Sequence, residues 1–133
     1  MESASPTEAD HSSTRRILVA DDNAAAADTL AELLSLFGNE VQVVHDGQAA
    51  LKTFSAWRPD VILLDIGMPG MDGYEVARRV REQTASGKVM LIALTGWGQE
   101  KDRKLAREAG FDHHLLKPVD LQALQALMAA PQT

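Results

Sequence analysis

Four short apolar runs in this chain each end in a polar group able to do chemistry. Asp21-Asp22 follow Ile17 to Ala20, Asp65 follows Val61 to Leu64, Thr95 follows Val89 to Leu94, and Lys117-Pro118 follow Leu115-Leu116. Taken singly each has an ordinary explanation, because Asp or Thr after a strand commonly caps the next helix. Asn23 is the better cap for the first helix, which leaves Asp21 and Asp22 without that role. Adjacent carboxylates facing a third repel one another and raise one another's pKa unless a cation intervenes. A hard divalent ion such as Mg2+, which prefers carboxylate, carbonyl and water oxygens, relieves that repulsion. Lys117 read alone is a solvated surface lysine and Pro118 a strand terminator.

The elements that must position these groups are legible as alternating patterns. Short apolar runs at Ile17 to Ala20, Val41 to Val44, Val61 to Leu64, Val89 to Leu94 and Leu115-Leu116, the last preceded by His113-His114, alternate with longer helical patterns. That alternation is the signature of βα units around a parallel sheet. Val61 to Leu64 and Val89 to Leu94 are continuously apolar and read as central strands, whereas the second and fifth runs are interrupted by polar residues and read as edges. Leu30, Leu33, Leu34 and Phe37 recur at helical spacing up to Gly38, a natural helix stop. Further helices are predicted at Gly47 to Trp57, Gly73 to Glu82, Gln99 to Ala109 and Leu121 to Met128, giving five units. In doubly wound sheets, functional groups gather beyond the carboxyl ends of the strands, where all four polar groups fall.

Composition narrows the classes further. With 133 residues the chain fits one domain, and 45% hydrophobic with 24% charged residues is ordinary for a globular protein. A net charge of −6 opposes direct binding to nucleic acid or anionic lipid. The absence of cysteine excludes disulfides and thiolate metal sites. No apolar run reaches the length of a membrane span and the N-terminus lacks a signal-peptide layout, so a cytoplasmic location is expected. Residues 1–14 are polar and without apolar periodicity, and are expected to form a disordered leader before a domain at 15–129 and a short tail at 130–133.

Asp21-Asp22, Asp65, Thr95 and Lys117-Pro118, in this order and at these strand ends, resemble the set that marks response-regulator receiver domains of two-component signalling. The loop Met68-Pro69-Gly70-Met71-Asp72-Gly73 and the turn Gly110-Phe111-Asp112 extend the match, which covers Arg16 to Met128. The resemblance implies a flavodoxin-like (βα)5 fold, a five-stranded parallel α/β sheet in the order 2-1-3-4-5. It implies that Asp65 takes a phosphoryl group from a phosphohistidine on a sensor histidine kinase or a histidine phosphotransfer protein. It implies Mg2+ held by Asp22, Asp65 and the backbone carbonyl of Gly67, with Asp21 acting through water. Lys117 then pairs with Asp65 and with the phosphoryl group, Thr95 reports its arrival, and the Lys117-Pro118 bond is cis.

Two departures concern the readout. Where the family usually carries Tyr or Phe, two residues after Asp112, this chain has His114. An imidazole can make the same inward rotation as the aromatic but titrates near neutral pH, so a retained, pH-sensitive switch is expected. The alternative is that His113 and His114 are adjacent edge-strand residues facing opposite sides. The positions that by resemblance set the acyl-phosphate lifetime are Gly67 and Trp97.

Other functions fit less well. A dehalogenase-like phosphatase requires Asp-x-Asp after the first strand, which Asp21-Asp22-Asn23 does not supply, and a flavodoxin-like cofactor binder requires a Ser/Thr- and Gly-rich phosphate loop there. A pseudo-receiver usually loses an acidic position, and none is missing here. After Lys117-Pro118 the sequence holds one helix and a tail, so the expectation is a free single-domain receiver or one excised from a hybrid kinase. It is expected to act on a downstream protein target as a monomer or weak phosphorylation-dependent dimer, without turnover as an enzyme.

Overall fold

The computed structural model describes residues 15–83, 89–96 and 100–129. The expected leader at 1–14, the tail at 130–133, Trp97 and Gln99 lie outside the described residues. Among the described residues ten elements alternate strictly: β1 (Arg16–Ala20), α1 (Ala24–Leu36), β2 (Glu40–Val44), α2 (Gly47–Trp57), β3 (Val61–Asp65), α3 (Gly73–Gln83), β4 (Met90–Thr95), α4 (Glu100–Ala109), β5 (His113–Leu116) and α5 (Leu121–Ala129). The strands form one parallel sheet in the order β2-β1-β3-β4-β5. The fold is therefore the doubly wound (βα)5 arrangement expected from the sequence, with β2 and β5 at the edges.

Period-two alternation divides the core into two layers. Ile17, Val19, Leu63, Ile92 and Leu94 point to the face covered by Ala27, Leu30 and Leu34 of α1 and by Leu124 and Met128 of α5. Leu18, Ala20, Leu64, Leu91 and Ala93 point to the opposite face, against Phe54 of α2, Val76 and Val80 of α3, and Ala106 of α4. Burial on both faces explains why β3 and β4 are apolar along their length, and each such Leu or Ile side chain contributes about 1.5–3 kcal/mol. Within α1 the burial is narrower than its apolar spacing. Leu30 and Leu34 are enclosed, but Leu33 and Phe37 are 37% and 52% exposed, because the sheet covers a single stripe of the helix.

Helix starts are fixed by side chains that satisfy otherwise unpaired N–H groups. Asn23 Oδ1 accepts from Ala26 N at 3.1 Å, Asp46 Oδ1 from Ala49 N at 2.8 Å, and Asp72 Oδ1 from Glu75 N at 3.0 Å. Gly73 is required for close approach: a Cβ there would meet Ile66 Cα at 2.6 Å and the Asp65 carbonyl oxygen at 2.8 Å. The start of α3 is thereby pressed against the end of β3.

At the amino ends of β4 and β5, Arg81 joins three segments. It donates to the carbonyls of Gly110 and Val89, both at 2.9 Å, and to Asp112 Oδ2 at 2.8 Å. Asp112 Oδ2 also accepts from Leu91 N at 2.9 Å.

Candidate functional site

Sheet order reverses between β1 and β3, so the chain leaves these neighbouring strands toward opposite faces and opens a crevice beyond their carboxyl ends. Asp21 and Asp65 stand on either side of it, buried at 3% and 6% exposure, while Asp22 is exposed. Carboxylate oxygens of the three lie within 4.8 Å of one another. Lys117 reaches in from the end of β5, its Nζ 3.1 Å from Asp21 Oδ2 and 3.1 Å from Asp65 Oδ2. Its backbone is fixed by donation from Lys117 N to the Thr95 carbonyl at 2.8 Å, and the following Lys117-Pro118 peptide bond is cis.

The remaining carboxylate oxygens accept from the backbone of their own turns. Asn23 N donates to Asp21 Oδ1 at 3.0 Å, and Gly67 N to Asp65 Oδ1 at 2.9 Å. These contacts set the two acids apart electrostatically. Burial pushes the Asp21 carboxyl up and the neighbouring Asp65 adds to the rise, outweighing the Asn23 N–H and Lys117. Burial also opposes ionisation of Asp65, but the Gly67 N–H, a hydrogen bond with Asp21 and the Lys117 ammonium together hold it below the ordinary carboxylate range. Lys117 is held above the usual lysine value: desolvation lowers it, and the two carboxylates more than compensate. Asp65 is thus the more readily ionised of the two buried acids.

Three carboxylates against one ammonium leave an excess of negative charge in a largely buried crevice. The donors are all hard oxygens and one of them, Asp22, is open to solvent, a set that suits a hard divalent cation entering from outside.

Thr95 ends β4, buried at 4% exposure. Registry pairs it with Leu116 and pairs Ala93 with His114, so alternation directs Thr95 and His114 to the same face of the sheet, the one covered by α4. His113, paired with Ile92, faces the other way. At Gly67 an added Cβ would stand 3.5 Å from Asp65 Oδ1, in ordinary contact, so a side chain at this position would lie beside the carboxylate.

A family model described as the response regulator receiver domain matches residues 17–129. The chain belongs to the response regulator receiver family. It is therefore a phosphoacceptor domain of two-component signalling. This receiver domain is 38% identical over 115 residues to the response regulator MprA of Mycobacterium ulcerans, a match covering 86% of this chain and 49% of the relative. The chain spans about half the length of the curated relatives it matches. Among solved structures it resembles the Vibrio cholerae chemotaxis protein CheY4, with a TM-score of 0.81 at 27% identity, covering 86% of this chain and 96% of the other. A putative response regulator from Chloroflexus aurantiacus superposes with a TM-score of 0.80 at 30% identity, covering 86% and 94%.

A groove of about 600 Å3 runs from the receiver's acidic crevice along α1, lined by Asp21, Lys117 and Pro118 and by Ala25, Ala26 and Thr29. The small side chains at the start of α1 leave this approach open. One contributor escaped the reading of the sequence: His45, after β2, donates from Nδ1 to the Asp21 carbonyl at 3.1 Å. No local pattern marks it, because the contact depends on the pairing of β1 with β2.

Proposed function

We propose that Asp65 is the phosphoacceptor and that Asp22, Asp65, the Gly67 carbonyl and, through water, Asp21 hold Mg2+ beside it. The observation that carries this reading is the setting of the Asp65 carboxylate, with the Lys117 ammonium 3.1 Å from Oδ2, the Gly67 N–H donating to Oδ1, and the buried Asp21 and exposed Asp22 beside it. A carboxylate must be ionised to act as a nucleophile. When bound, Mg2+ supplies positive charge to the phosphoryl oxygens during transfer.

The chain's own groups perform the remaining tasks. A carboxylate oxygen of Asp65 attacks the phosphorus of a phosphohistidine; the new O–P bond forms as the P–N bond breaks, and the imidazole leaves with its electron pair. The product is an acyl phosphate. Lys117, held at 3.1 Å from the carboxylate before transfer, then pairs with the phosphoryl oxygens in a charge-assisted contact. The donor is a sensor histidine kinase or a histidine phosphotransfer protein that approaches along α1. Each domain accepts one phosphoryl group and returns it to water, so the domain acts as a stoichiometric switch rather than a turnover enzyme.

The Thr95 hydroxyl donates to a phosphoryl oxygen, and His114, on the same face of the sheet, follows its movement and alters the surface presented to a downstream protein. Gly67 and Trp97 set the lifetime of the acyl phosphate by controlling access of water to it. The test is phosphotransfer from a phosphorylated kinase with and without Mg2+. Label is expected on the wild-type domain with the metal and absent from Asp65→Asn; a labelled Asp65→Asn would refute the assignment.

A further inference from the structure

A side chain, rather than the backbone ladder, donates to the carbonyl of Asp21. Asp21 N donates to Val44 O at 3.1 Å, one rung beyond the pairing of Ala20 with Val44. In a parallel ladder the next rung would run from the Asp46 N–H back to the Asp21 carbonyl. The chain turns away at that point, because Asp46 is the N-cap of α2 and its side chain accepts from Ala49 N at 2.8 Å. The bond to the Asp21 carbonyl comes instead from His45 Nδ1, at 3.1 Å. A carbonyl oxygen only accepts, so Nδ1 of this imidazole carries a proton.

That bond bears on the residue that follows. The Asp21 carbonyl and the Asp22 N–H belong to one planar peptide unit, so a donor that holds the oxygen sets the plane from which Asp22 departs. Asp22 is the exposed member of the three acids whose carboxylate oxygens lie within 4.8 Å of one another. Asp21 and Asp65 are buried, and each lies 3.1 Å from Lys117 Nζ. An exposed carboxylate has little packing to orient it, and its backbone carries more of that task.

The turn that carries His45 is anchored in its turn to the loop beyond β3. At Gly47 an added Cβ would meet Met71 O at 2.7 Å and Val76 Cγ2 at 2.9 Å. Met71 lies between β3 and α3, on the segment that leads away from Asp65. The residues His45 to Gly47 thus join the loop after Asp65 to the peptide before Asp22.

We propose that His45 is a positioning residue for the metal site: its Nδ1–H fixes the Asp21-Asp22 peptide and so holds the Asp22 carboxylate ready for a divalent cation. The inference rests on the reading of Asp22 as a ligand of Mg2+.

The test is titration of Mg2+ into the 15N-labelled chain, followed through the amide shifts around the crevice. His45→Phe keeps a ring without the donor and is expected to weaken Mg2+ binding by about three- to tenfold, less than a buried outer-sphere partner would. His45→Asn carries Nδ2 as many bonds from the backbone as the imidazole Nδ1, and is expected to bind within about twofold of wild type. A purely structural role would instead lower the urea midpoint in a chelator and leave the Mg2+ affinity of the folded protein unchanged. In the metal-free protein at mildly alkaline pH, 15N spectra of the imidazole are expected to show the His45 proton on Nδ1. Unchanged Mg2+ affinity in His45→Phe, an Asn variant no tighter than the Phe variant, or a proton on Nε2 alone would each overturn the proposal. Asp22→Ala in the same titration separates the two assignments. If it loses Mg2+ while His45→Phe does not, only the role of His45 falls; if it binds as wild type does, the metal assignment falls with it.

Discussion

The Lys117 ammonium stands 3.1 Å from Asp65 Oδ2, and the same nitrogen stands 3.1 Å from Asp21 Oδ2. One cation therefore serves two buried carboxylates. Removing it leaves them facing each other. Lys117→Ala is expected to destabilise the metal-free domain by about 1–3 kcal/mol, less than for a fully buried pair because the lysine is partly solvated. Urea unfolding in a chelator measures this, and an unchanged midpoint would show that the ammonium does not hold the pair.

The two acids predict opposite responses to pH. Asp65 is held below the ordinary carboxylate value, so its contribution is present above that value and is lost as pH falls through its folded-state pKa. Asp21 is raised, so it costs stability once pH climbs past the ordinary value toward its folded-state pKa. Asp21→Asn should therefore stabilise the metal-free domain at neutral pH, with the gain fading at roughly pH 3, where the wild-type side chain is protonated in both states. Denaturation of both proteins across this range decides the matter; a gain that persists undiminished at low pH would contradict the assignment.

Divalent metal should act as a stabilising ligand. At Mg2+ concentrations a hundredfold above its dissociation constant, linkage gives about 2.7 kcal/mol. Asp22 is exposed, so Asp22→Ala is expected to leave metal-free stability unchanged while abolishing most of the Mg2+-induced rise in Tm. Equal Mg2+ effects on both proteins would remove Asp22 from the ligand set.

Gly73 tests the packing beneath the site. A methyl group there would meet backbone atoms of Asp65 and Ile66, which cannot move aside as a flexible side chain can. Gly73→Ala is expected to cost about 1–3 kcal/mol and to slow phosphoryl acceptance by displacing the end of β3. Calorimetry together with labelling rates measures both effects. Wild-type values for the two would show that the close approach is not needed.

The sequence exposed the strand ends because burial on both faces leaves β3 and β4 few polar positions before Asp65 and Thr95. Edge strands were legible for the complementary reason, since β2 and β5 keep polar residues on their partly exposed sides. Which apolar residues of α1 are buried was not legible: Leu33 and Phe37 share the helical spacing of Leu30 and Leu34, and only the docking angle on the sheet separates them. The groups joined by Arg81 were hidden too, because Gly110 and Asp112 are brought to it by the sheet and not by sequence proximity. At the site, residue types were readable in order, but the sharing of Lys117 between Asp21 and Asp65 depends on how the sheet brings the ends of β1, β3 and β5 together.

The most direct measurement locates the acyl phosphate itself. The domain is phosphorylated by a small-molecule phosphodonor with Mg2+, reduced with borohydride, and mapped by peptide mass spectrometry. Reduction converts an aspartyl phosphate to homoserine. The account predicts homoserine at residue 65 alone, and none in Asp65→Asn. Conversion at Asp21 or Asp22 in the wild-type protein, with Asp65 untouched, would contradict it.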